Sequence, residues 1–147
     1  MKTHYKKLTD TNYFGSWDIE QSEIILRITK VEREEVMNGE GRVDNKIVLH
    51  LDKYKPLILN KTNEKSISKL FGPYVEDWVN KYFTAFKTNV KSFGETVEAV
   101  RIRTRPPVFN DKHPAYADAV KAVKEGKRTK EQIKAAFNAS DAVIDKL

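Results

Sequence analysis

The run VRIRTR sets Arg101, Arg103 and Arg105 at every second position, opposite Val100 and Ile102. In an extended chain, period two puts three guanidiniums on one face, where they repel one another unless solvated or matched by an anion. Two readings follow. One is a solvated outer face whose charges protect a sheet edge from aggregation. The other is a phosphate track, because arginine meets phosphate in forked geometry and stacks on bases. Lys87 and Lys91 alternate in the same way on AFKTNVKSF and would widen such a track, with Arg27 and Lys30 near it. Single-strand binding also needs aromatic platforms, and the candidates are Tyr13, Phe14, Trp17, Tyr54, Trp78, Tyr82 and Phe93. Most rings in a chain this size pack into the core, Trp17 and Trp78 foremost, since each sits among turn residues. Phe93, beside Gly94 at a hairpin tip, is the ring expected in water.

Other chemistry finds less support. LNKTNEKS has no glycines ahead of its Lys-Ser step, so it is not a phosphate-binding P-loop. The start of the helix after Asn60, with Lys61, is a minor anion site at most. The plainer reading is a strand-to-helix corner fixed by Asn60 and Asn63. There is no cysteine, and His4, His50 and His113 are scattered. Hydrolase, zinc and dinucleotide signatures are missing. Glu32, Glu34, Glu35 and Glu40 fall in an expected loop, where a charge run is a solvated face. A metal-dependent nuclease would need carboxylates converging from separate strands. No catalytic residues, metal ligands or cofactor are therefore expected, and the chain reads as a non-enzyme.

The balance of 27 Lys and Arg against 21 Asp and Glu, net +6 with a pI near 9.4, favours acidic partners. The N-terminus lacks an apolar core of signal-peptide length, and no run approaches the ~20 apolar residues of a membrane span. The expected setting is cytoplasmic, with no membrane partner.

Several elements must position these residues. SEIILRITKV alternates, with Ile24, Leu26 and Ile28 on one face and Ile25, Arg27 and Thr29 on the other. EREEVMNGEGRVDN reads as a hairpin tip or loop around Asn38, Gly39 and Gly41; KIVLHLDKY resumes the alternation, and KPLILN is a third strand. From Thr62 to Leu70 the apolar period lengthens, Thr62 or Asn63 can cap, and Gly72-Pro73 stops a short helix. YFTAFKTNVKSF and TVEAVRIRTR form another hairpin. The expected fold is mainly β with helices: a five-stranded barrel of the oligonucleotide-binding (OB) kind, with a helix between strands three and four, and with another small barrel or a helix-capped open sheet as the runners-up. Beyond Pro106-Pro107 the chain turns Ala- and Lys-rich, so residues 1–107 are assigned to the barrel and 108–147 to a helical extension. There, Thr129 and Gln132 form a capping box, Ser140-Asp141 starts a last turn, and Tyr116, Val120, Val123, Ile133, Phe137 and Ile144 make an apolar seam.

GSWDI, EIILRITKVE, KPLILNKTNEKSISKLFG followed by EDWVNK, and SFGETVEAVRIRTRPP together resemble a family of small proteins from tailed bacteriophages and prophages. Its pattern joins a Trp-Asp step, LNKTN, a Tyr/Phe-Gly pair, a Trp and a closing FG with Arg-(Ile/Val)-Arg. The chain departs at Glu64, where Ala is common, and at NKYFTAFKTNV, where a Gly-Lys step is common. The resemblance implies an OB-like protein of phage replication or recombination that binds single-stranded DNA in the host cytoplasm. It supplies no binding residues; those expected from the residues themselves are Arg101, Arg103, Arg105, Lys87, Lys91, Phe93, Arg27 and Lys61. The alternative is an interaction module that recruits or inhibits a host or phage factor. A replication or recombination protein held by the C-terminal helices, and self-association, are both compatible with either reading.

Overall fold

The computed structural model describes residues 12–37, 41–137 and 139–147. The chain divides into two compact units, residues 1–106 and 107–147.

In the first unit, five antiparallel strands, β1 (Glu23–Met37), β2 (Val43–Leu51), β3 (Tyr54–Ile58), β4 (Tyr82–Ser92) and β5 (Glu95–Ile102), lie in the order β3-β2-β1-β4-β5. β1 is long because it serves two partners. Glu23 to Arg27 pair with β4, and Ile28 to Met37 pair with β2. A register shift between Ile28 and Lys30 marks the handover. The extra residue there changes the parity of the strand. Leu26 and Ile28 are buried ahead of it; beyond it Val31 faces the core, while Lys30 is exposed. EREE is therefore strand rather than loop, because β2 continues the ladder as far as Met37 opposite Val43. Asn38, Gly39 and Glu40 of the expected tip lie outside the described residues.

Helix α1 (Lys61–Phe71) connects β3 to β4, the position expected of the OB plan. Its N-cap is Asn60, whose side chain accepts from the Asn63 amide at 2.8 Å, two or three residues earlier than the expected cap. Ile67 is fully buried among Leu26, Leu49, Leu59 and Phe83. Burying such a side chain contributes roughly 1.5–3 kcal/mol. Gly72 ends the helix at φ +93°, and its carbonyl accepts from Trp78 Nε1 at 2.9 Å. That bond ties the short 3-10 segment Val75–Trp78 to the helix end and seats the Trp78 ring in the core. Trp17 is only half-buried, and its ring occupies the space over Gly15, where a Cβ would come within 2.2 Å of it.

The sheet is open where a closed barrel was expected, since β3 and β5 are both edges. Their outward groups have other partners. The Pro56 carbonyl of β3 accepts the Phe14 amide at 2.7 Å, and the Val100 carbonyl of β5 accepts Asn63 Nδ2 at 3.0 Å. Proline itself has no amide to offer a sixth neighbour. The architecture is mainly β and OB-like in strand order and helix position.

The second unit holds α2 (Tyr116–Lys124), α3 (Lys130–Phe137) and α4 (Asp141–Ile144). The Thr129 and Gln132 capping box forms, with bonds of 2.9 and 3.2 Å, and Ser140 caps α4. Ile133 and Ile144 are buried, whereas Tyr116, Val120 and Val123 are only half-buried. The ring that organises this unit was not in the expected seam: buried Phe109 stacks on Phe137 with centroids 4.5 Å apart and lies 5.2 Å from buried His113. His113 Nδ1 accepts the Ala115 amide at 3.0 Å, so the chain turns there and α2 starts at Tyr116.

Candidate nucleic-acid interface

The pairing of β1, β4 and β5 assigns each candidate to a face. Glu23 lies across from Phe86, and Phe86 across from Arg101; Arg27 lies across from Tyr82. Directly paired residues share a face, and this is the face opposite Leu26, Phe83, Ala85 and Ile102, which are buried. The Arg103 amide continues the ladder to the Thr84 carbonyl at 2.9 Å, which keeps Arg103 on the same outer side as Arg101. The result is an outer surface with three guanidiniums, Arg27, Arg101 and Arg103, around the rings of Tyr82 and Phe86.

The Arg103 guanidinium carbon sits 3.9 Å from the Phe86 ring centroid, and its Nε lies 3.4 Å from Glu23 Oε2. Arg27 reaches Asp52 at 3.4 Å and Asn80 Oδ1 at 3.3 Å. Arg101 donates to the Val100 carbonyl at 3.2 Å. The two ion pairs are partly exposed, and such pairs are worth about 0–1 kcal/mol. An arriving phosphate can take over either arginine at little loss.

The other expected residues lie elsewhere. β5 ends at Ile102, and Arg105 is exposed in the bend that follows, so the three-arginine row is a pair. Lys87 lies across from Val100, on the side that carries Phe83 and Ala85, and its ammonium donates to the Ile19 carbonyl at 2.9 Å. Lys91 has the same parity and is exposed. Neither lysine widens the arginine surface, because an odd step along β4 separates them from Phe86. Lys61 is exposed on the first turn of α1, 3.4 Å from Glu64. Phe93 is fully exposed between β4 and β5 with φ +50°, followed by Gly94 at +80°. Among the other proposed platforms, Phe14 and Trp78 are core, Tyr54 is exposed, and Tyr13 and Tyr82 are half-buried.

A group the sequence reading set aside also comes together. His50 Nε2 lies 2.9 Å from Glu32 Oε2 and 3.1 Å from Glu34 Oε2. Lys30 pairs with the other oxygen of Glu32, and this bond, aided by His50, holds the Glu32 carboxyl below the usual carboxylate range. The signal in the sequence was Glu32 and Glu34 at period two, hidden by their assignment to a loop.

No protein-family model, curated protein or solved structure matches the chain. Among the described residues no helix is long and apolar enough to cross a membrane.

Proposed function

We propose that the protein binds single-stranded DNA through the outer surface of β1, β4 and β5 and the β4–β5 hairpin tip. Phe93 carries this reading. A large ring fully in water, on a residue held at positive φ where glycine or asparagine is usual, makes no sense as packing. Backbone outliers of this kind point to function. In an OB plan the loop between strands four and five contacts oligonucleotides, and an exposed ring there is a stacking platform worth roughly 1–3 kcal/mol per base. Arg101 and Arg103 supply phosphate contacts farther along the hairpin, where Arg101 lies across from Phe86, and the net charge of +6 adds attraction at longer range. Recognition is of backbone and base faces, which is sequence-tolerant. The phage replication or recombination setting rests on the motif resemblance.

The test is a fluorescence anisotropy titration with oligo-dT across a salt series. Affinity should fall with a log-log slope of about −0.7 for each neutralised phosphate. No binding at low salt rejects the proposal.

A further inference from the structure

β1 and β2 gather a second set of side chains beyond the β1 bulge. His50 lies across from Lys30, Val48 across from Glu32 and Lys46 across from Glu34, and Val48 is fully buried on this face. One ligand atom each from Glu32, Glu34 and His50 falls within 4.8 Å of the others. One ring nitrogen, Nε2, thus faces two anionic oxygens, at 2.9 and 3.1 Å, and can offer them at most one proton. Lys30 engages Glu32 through Oε1, which leaves Oε2 facing the imidazole. The ion pair of Glu34 is with His50 alone among the described residues. Two carboxylates meeting at one ring nitrogen repel each other, and each would favour a cation between them.

We propose that Glu32, Glu34 and His50 bind a first-row divalent cation of the Zn2+ type, through His50 Nε2 and the Oε2 atoms of both carboxylates. Zinc bonds to nitrogen and carboxylate oxygen are about 2.0–2.2 Å, which sets neighbouring donors roughly 3.0–3.5 Å apart. Of the two observed nitrogen-to-oxygen separations, 3.1 Å lies at that spacing and 2.9 Å just short of it, so little rearrangement is needed. An imidazole among the donors selects zinc and its neighbours over magnesium, which prefers all-oxygen ligation. The two carboxylates carry two negative charges, which a divalent ion cancels, and water completes the coordination. All three donors stand on paired strands, and the Thr29 hydroxyl bonds the His50 carbonyl at 3.1 Å, holding the backbone of the third ligand. The site is separate from Arg101, Arg103 and Phe93 and stands whether or not the protein binds DNA.

The experiment is a calorimetric titration of the full chain with Zn2+ at pH 7.5, for the wild type, Glu34→Gln and His50→Gln. The expected result is one equivalent bound by the wild type and affinity at least about 10-fold weaker in each variant. The chain has no cysteine and only two other histidines, so His4→Gln should bind as the wild type does. A readout that needs no variant is NMR of the wild-type imidazoles, where Zn2+ should shift the His50 ring and leave His113 in place. No uptake by the wild type, uptake that survives both substitutions, an unmoved His50 ring, or displacement by equimolar Mg2+ would each overturn the assignment.

Discussion

Asn63 Nδ2 donates to the Val100 carbonyl at 3.0 Å, joining the first turn of α1 to the edge of β5. Asn63 is buried, and its Oδ1 has no hydrogen-bond partner among the described residues. Asn63→Ala removes this bond and should cost about 1–3 kcal/mol. Asn63→Asp should cost more, since it sets an unpaired carboxylate against a carbonyl. Urea denaturation followed by tryptophan fluorescence measures both, and equal stability of Asn63→Asp and wild type would contradict the role of the bond.

Phe93 and Gly94 both have positive φ, the backbone of a two-residue hairpin turn in which Asn-Gly is the preferred pair. Phe93→Asn should therefore leave the fold as stable as before or more so, while oligo-dT affinity drops by roughly the 1–3 kcal/mol of one stacked base. Thermal melting and anisotropy on the same samples separate the effects. A variant that melts higher and binds equally well removes Phe93 from the interface.

The two faces of the β4–β5 pair give opposite outcomes. Arg101→Ala with Arg103→Ala should weaken oligo-dT binding and flatten its salt dependence by up to two phosphate contacts, about 1.4 in slope. Lys87→Ala loses the bond to the Ile19 carbonyl instead. It should lower stability by about 0.5–1.5 kcal/mol, or more where the carbonyl is left unpaired, with DNA affinity per folded molecule unchanged. The reverse pattern would move the interface to the other side of the sheet.

His113 titrates below the ordinary histidine value because burial disfavours its charged form. Its Nδ1 already accepts the Ala115 amide, so the neutral ring carries its proton on Nε2 and a second proton must break that bond. The unfolded chain binds this proton first, at a pKa near 6.5, so the unfolded state holds more protons over the window below it. Stability of the 107–147 unit is therefore full above about pH 6.5, and declines as pH falls from there toward the lowered folded pKa. Circular dichroism melts at pH 7.5 and pH 5 should show the loss. His113→Asn, which keeps an acceptor and cannot titrate, should shrink it.

What could be read from the chain alone was local. Ile24, Leu26 and Ile28 at period two announce a half-buried strand, Asn60 and Asn63 a corner into a helix, Phe93-Gly94 a hairpin tip, and their order an OB-like plan. Those features depend on backbone preference and on which side chains water rejects, and both act over a few residues. Tertiary pairing decided the rest. The bulge after Ile28 exists because β1 changes partners, so the side of Lys30, Glu32 and Glu34 could not be counted from Ile24. Lys87 and Arg101 are both basic and both on alternating strands. Only the register of Phe86 opposite Arg101 shows that the lysine points the other way. The sheet stays open because Phe14 and Asn63, distant in sequence from the edges they cover, occupy carbonyls that a closing strand would need. Residues fixed by their neighbours along the chain were visible in the sequence, and residues fixed by a partner strand were not.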